Sequence, residues 1–150
     1  MADRVTQFLE ALLEIDEIEL LFSILNREDI KNLLIELNTI DQLFEQGIDS
    51  NSDSLGEYTE TTKRIKRQKG QRIDHVTLKD TGEFYESWEI IITEKADIIF
   101  DADDEKDDTA LFEKYGIDIL GLTEKSKSFF VDVLKEEYVT SLRGKIQSFI

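Results

Sequence analysis

Three stretches of the chain place residue types at spacings that could do chemistry. The first is Asp49-Ser-Asn51-Ser-Asp53, with Glu60 at the twelfth position counted from Asp49. Alternating oxygen ligands closed by a twelfth-position glutamate are the spacing of a helix–loop–helix calcium site. Position six is Ser54 where that loop needs glycine, and the glycine comes late, at Gly56. The competing reading is an Asx-rich loop whose side chains bond nearby backbone amides. No cofactor is therefore expected, and Asp49, Asn51, Asp53 and Glu60 are the alternative metal ligands. The second stretch crowds six carboxylates into 101–108: Asp101, Asp103, Asp104, Glu105, Asp107 and Asp108. It has neither a glycine nor a spaced twelfth acid, so it reads as a solvated acidic loop.

The third stretch is Asp80-Thr81-Gly82, the tripeptide of aspartic proteases, and 118–122 loosely echoes a second element of those enzymes. Their chemistry needs two carboxylates sharing one proton, here through a homodimer. The active loop should follow an apolar strand, but Lys79 and Glu83 flank this one. The structural reading is a turn. Asp80 caps, Thr81 and Gly82 form the bend with the unusual backbone angle at Gly82, and Phe84, Tyr85 and Trp88 pack inward. Other catalytic constellations lack their parts. His75 is the single histidine, cysteine is missing, and neither GxGxxG nor GxxxxGK[ST] occurs. His-based sites, thiolate sites and phosphate-cradling loops are thereby excluded within one chain. The expectation is a protein that is not an enzyme.

The charge is unevenly placed. Thirty-four acids oppose 18 bases over 150 residues, a net of −16. General nucleic-acid binding is disfavoured, because phosphates would be repelled by most of the surface. Lys63, Arg64, Lys66, Arg67, Lys69 and Arg72 nevertheless fill a ten-residue window with no acid. The rest of the chain keeps 12 bases against 34 acids, a net of −22. Such a strip pairs with an acidic face on a neighbouring copy, which makes these six residues a candidate subunit interface. It also reads as a solvated helix face. An acidic DNA mimic would explain the net charge but not the basic window.

The elements that must position these residues form one α+β domain over 1–150. Residues 2–25 carry a helical stripe (Val5, Phe8, Leu9, Leu12, Leu13, then Ile15, Ile18, Phe22, Leu25) with a bend expected near 14–16. Asn26 is the expected N-cap of a second helix, whose stripe is Ile30, Leu33, Leu34, Leu37, Ile40 and Phe44, stopped by Gly47. Together they predict an N-terminal helical hairpin. Thr59 and Gly70 bound a basic helix. Residues 76–79 predict a short strand. Residues 88–93 and 97–102 predict a small antiparallel β-sheet with Trp88, Ile90 and Ile92 on one face, across from Ile98 and Phe100. Residues 109–115 predict a helical turn ending at Gly116. A long C-terminal helix follows from Thr123, with Phe130, Val133, Leu134, Tyr138, Leu142 and Ile146 on one side. The opening residues are interrupted by Asp3, Arg4, Glu10 and Glu14, unlike a signal peptide, and no apolar run approaches the ~20 residues of a membrane helix.

The stretch 43–122 also carries an ordered pattern. It runs Gly47-Ile-Asp49, Leu55-Gly-Glu-Tyr58, Thr62 with a lysine-rich helix to Gly70, then Val76-Thr-Leu78-Lys-Asp-Thr-Gly82-Glu-Phe84-Tyr85-Glu-Ser87, a strand pair, and Tyr115-Gly116 before the last helix. It resembles the tail-completion or virion-morphogenesis proteins of tailed bacteriophages, the head–tail connectors of the neck, especially those of the crAss-like group. It departs from them at Ile117-Asp-Ile-Leu-Gly-Leu122, where the family often has an Arg-Pro-Phe-like segment, and that bears on the local contact of this segment. The resemblance implies a non-catalytic subunit of a homo-oligomeric ring, on the order of six or twelve copies. The ring would sit between portal and tail, touching the portal or adjacent neck and tail rings. Packaged DNA would pass its channel without specific binding, and no membrane is implied. The protein would be made in the host bacterial cytoplasm and end in the virion neck.

Overall fold

Short acidic side chains set where the first helices begin. Asp3 accepts the Thr6 N–H at 2.7 Å and opens α1 (Arg4–Leu13). Asp16 accepts the Glu19 N–H at 3.1 Å and opens α2 (Glu17–Leu25). The computed structural model, which describes residues 3–106 and 109–149, thus interrupts the N-terminal helix at the expected bend. Asn26 departs from its expected role. Its amide donates to the Phe22 carbonyl at 2.9 Å and closes α2, while α3 (Glu28–Glu36) starts after Arg27 with no side-chain cap. Arg27 instead reaches Asp29 at 2.7 Å and Glu137 at 2.6 Å, tying the corner to the C-terminal helix.

Beyond Glu36 the helix continues as a ten-residue π-helical segment, Leu37–Gln46. Such segments are ordinarily single turns. The Thr39 hydroxyl donates to the Ile35 carbonyl at 2.8 Å, competing for the acceptor that an α-helical ladder uses. The wider turn corrects the expected stripe: Leu43 is fully buried, whereas Ile40 is 40% exposed. Gly47 stops the segment at φ +64, and a β-carbon there would lie 2.4 Å from the His75 ring. Both the angle and the space demand glycine.

The predicted hairpin forms as β1 (Glu89–Ile92) antiparallel to β2 (Ile98–Asp101), with Ile92 opposite Ile98 and Ile90 opposite Phe100. Trp88, Ile90 and Ile92 are buried on one face. The Trp88 indole N–H finds no acceptor among the described residues. The strand expected at 76–79 does not form. Leu78 takes φ +59, a left-handed conformation incompatible with a strand. The one-turn helix α5 (Glu83–Glu86) precedes the hairpin. A two-residue pairing of β3 (Glu105–Lys106) with β4 (Thr109–Ala110) spans the acidic run, of which Asp107 and Asp108 lie outside the described residues. Then come α6 (Leu111–Tyr115), one 3₁₀ turn (Ile117–Ile119) and the long α7 (Glu124–Phe149). Thr123 accepts the Ser126 N–H at 3.2 Å at its start. The α7 stripe buries Phe130 and half-buries Leu134, Tyr138 and Leu142, and α1 and α2 both lie against this helix. No helix among the described residues is long and apolar enough to cross a membrane.

Two apolar clusters result. One gathers α2, α3, the hairpin and α7 around Leu34; the other gathers Leu43, Phe84, Tyr85, Trp88 and Ile119, with Ile35 and Phe100 packed against both. The segment 119–123 supplies Ile119 to one and Leu122 to the other. It is held by two fully buried amides of the π segment. Asn38 Nδ2 donates to the Ile119 carbonyl at 3.0 Å and its Oδ1 accepts the Gly121 N–H at 2.6 Å. Gln42 Nε2 donates to the Gly121 carbonyl at 2.9 Å and its Oε1 accepts the Thr123 N–H at 2.9 Å. Replacing Gln42 by Leu leaves two backbone groups without partners. The expected cost is about 2–4 kcal/mol, measured as a lower urea midpoint at unchanged denaturant slope.

Candidate functional site

The basic window folds as α4 (Glu60–Gln68), opened by Thr59, which accepts the Thr62 N–H at 3.2 Å. The helix distributes four of the six cations around its circumference, with Lys69 at its C-cap and Arg72 beyond it, and the structure sorts them into distinct environments. Lys66 points inward and is 8% exposed. Its ammonium donates to the Lys79 carbonyl at 3.1 Å and to Gln71 Oε1 at 3.2 Å, and sits 4.7 Å from the Tyr58 ring centre. Neutral oxygens and a ring face solvate this buried charge; no described carboxylate forms an ion pair with it. Lys69 pairs with Asp80 at 2.9 Å, Arg72 with Asp74 at 2.6 Å and Glu45 at 3.2 Å, and Lys63 with Glu60 at 3.6 Å. Arg64 and Arg67 are exposed and form no ion pair with a described residue. The candidate interface strip is therefore corrected: Lys66 is withdrawn from the surface, and the uncommitted cations are Arg64 and Arg67.

Asp80-Thr81-Gly82 forms a turn, but with roles exchanged. Gly82, at φ +91, stands at the N-terminal end of α5, and Thr81 Oγ1 accepts the Glu83 N–H at 3.3 Å. Asp80 does not cap. It faces the Lys69 ammonium and the Gln71 amide, which hold its carboxyl below the usual carboxylate range. That environment favours the ionised form, the reverse of a proton-sharing pair. Phe84 and Tyr85 are buried, and Phe84 meets Trp88 edge-on at 5.8 Å between ring centres. Thr77, 1% exposed, is the hub of the preceding loop. Its N–H donates to the Tyr58 hydroxyl at 2.9 Å, its Oγ1 accepts the Lys79 N–H at 3.2 Å, and its carbonyl accepts from the Tyr85 hydroxyl. The sequence gives little sign of Tyr58, Gln71 and Thr77 in this role, because their partners lie 8–19 positions away.

The acidic candidates spend their oxygens on backbone. Asp49 Oδ1 accepts the N–H groups of Asn51 and Asp53 at 2.9 and 3.0 Å, an Asx turn. The Asn51 amide donates to Asp118 at 3.0 Å, while Glu60 heads α4 beside Lys63. Asp103 accepts the Glu105 N–H, and Asp104 accepts that of Phe112 at the start of α6. Among the described residues no group of three or more His, Cys, Asp or Glu is gathered to hold a metal ion.

Between α4, the 78–82 turn and α6 lies a cleft of about 260 Å³. Ile65, Leu78, Phe84, Leu111 and Tyr115 give it apolar walls; Lys66, Lys69 and Lys79 add positive charge, offset in part by Asp80, which pairs with Lys69. Comparison with protein-family models, curated proteins and solved structures finds no match.

Burial raises the Tyr85 pKa well above the ordinary phenol range. A raised folded-state pKa stabilises fully below the unfolded value of about 10 and is lost as pH rises beyond it. In an alkaline absorbance titration, Tyr85 should ionise only together with unfolding. Tyr85→Phe should remove that phase and, by orphaning the Thr77 carbonyl, cost about 1–2 kcal/mol at neutral pH.

Proposed function

We propose that this chain is a non-catalytic structural subunit of a tailed-phage neck, or head–tail connector, ring, assembled between portal and tail around the DNA channel. The observation that carries this reading is the pair of exposed arginines on α4, Arg64 and Arg67, unpaired among the described residues of a chain whose net charge outside the basic window is −22. Isolated cations on an acidic body favour a contact in which the basic strip of one copy meets an acidic face of the next. Repeated head to tail, such a contact closes into a ring. Acid left facing a lumen would repel phosphate and let DNA pass without adhering. The ordered pattern of 43–122 supports placing that ring in the virion neck.

Arg64→Glu with Arg67→Glu tests the reading directly. Both side chains are exposed, so folding stability should stay within roughly 0.5 kcal/mol of wild type. Ring formation, followed by light scattering and by the yield of tailed particles, should fall sharply; normal assembly by the double variant removes the proposal.

A further inference from the structure

We infer that α1 of one copy docks into the cleft beside α4 on the next copy, so that the subunit contact joins two different surfaces of the same chain. This rests on the assembly reading above and names its contact.

The first observation is an inverted amphipathic helix. A surface helix ordinarily turns its apolar stripe to the core. In α1 the buried residue is Ala11, whereas Val5 is 68% exposed, Leu9 53% and Leu13 87%. The helix lies against α7 with Ala11 buried and offers its large aliphatic side chains to solvent. The second observation is the cleft. At about 260 Å³ it is too small for a helix, which is roughly 10 Å across, but it admits side chains projecting from one.

Charge selects the pairing. Residues 3–17 hold five acids (Asp3, Glu10, Glu14, Asp16, Glu17) against one base, Arg4. Glu10 and Glu14 border Leu13 and form no ion pair with a described residue. The receiving cleft is lined by Lys66, Lys69 and Lys79 against one carboxylate, Asp80, which pairs with Lys69, so its lining stays net positive through Lys66 and Lys79. An acid-rimmed apolar knob therefore faces an apolar hole whose lining is net basic. Pairing α1 with α1 of a second copy would instead bring four glutamates together, two from each chain. An anionic lipid surface is disfavoured by the same acids. A knob and a hole on separate elements of one chain generate a directional contact that propagates from copy to copy.

The chain has no cysteine, so engineered thiols report the contact cleanly. Leu9→Cys and Thr62→Cys are prepared separately, mixed at high concentration and oxidised gently. The expected product is a disulfide joining one variant to the other, with each variant alone remaining largely uncrosslinked. Adding Leu13→Asp to the first variant should lower the yield about tenfold, with circular dichroism confirming an intact fold. Lys79→Glu in the second should lower it as well, and Glu10→Lys with Glu14→Lys in the first should restore it. Absence of the mixed product, or self-crosslinking of Leu9→Cys at equal yield, overturns the contact. The two readings fail separately. Should the wild-type chain form rings or enter particles without this crosslink, only the contact falls. Should the crosslink form while the chain is missing from purified particles, the contact stands and the neck assignment falls.

Discussion

The structure depends on two primary amides imitating the edge of a β-strand. Asn38 and Gln42 each present a donor and an acceptor, and 119–123 answers with alternating carbonyls and N–H groups. In a water-excluded setting, the cost of leaving such groups unmade exceeds the gain from making them. The ladder therefore acts as a constraint on register. Because Ile119 and Leu122 belong to different apolar clusters, and Thr123 starts α7, that register also fixes where the longest helix begins. The support beneath α1 and α2 follows from it.

A chain with nearly twice as many acids as bases must solvate its carboxylates without enough counter-ions. Here backbone amides do much of that work. Asp3, Asp16, Asp49, Asp103 and Asp104 all accept main-chain N–H groups at helix starts or turns. At Asp3 the Thr6 N–H holds the carboxyl below its usual range. These are local bonds that need no base. Part of the scarce cationic charge is then free for other uses, and Arg64 and Arg67 are where it stands unpaired among the described residues.

Much of the fold was legible because it is written in short-range periodicity. The stripes of α2, α3 and α7 and the alternation of Trp88, Ile90 and Ile92 all require only that a helix or strand hide its apolar side. What escaped depends on distant partners. Asn38 and Gln42 read as polar interruptions of an apolar stripe, and only 119–123 explains them. Ile40 fits a 3.6-residue period that the π segment abandons. Leu78 sits in an apolar run but takes a left-handed backbone in a loop clamped at Thr77 by Tyr58 and Tyr85. The basic run was plain at the candidate site. Its division into buried Lys66, paired Lys69 and unpaired Arg64 was not, since it turns on Tyr58 and the Lys79 carbonyl arriving from elsewhere. Asp80 followed the same logic, its partners being Lys69 and Gln71 across the loop.

Trp88 is the only tryptophan of the chain. It is 6% exposed, edge-on to Phe84, with an indole N–H that meets no acceptor among the described residues. An indole in so dry and apolar a cage emits at short wavelength. Phe84 stands between it and the cleft, so the molecule carries its own optical gauge of whatever fills that space.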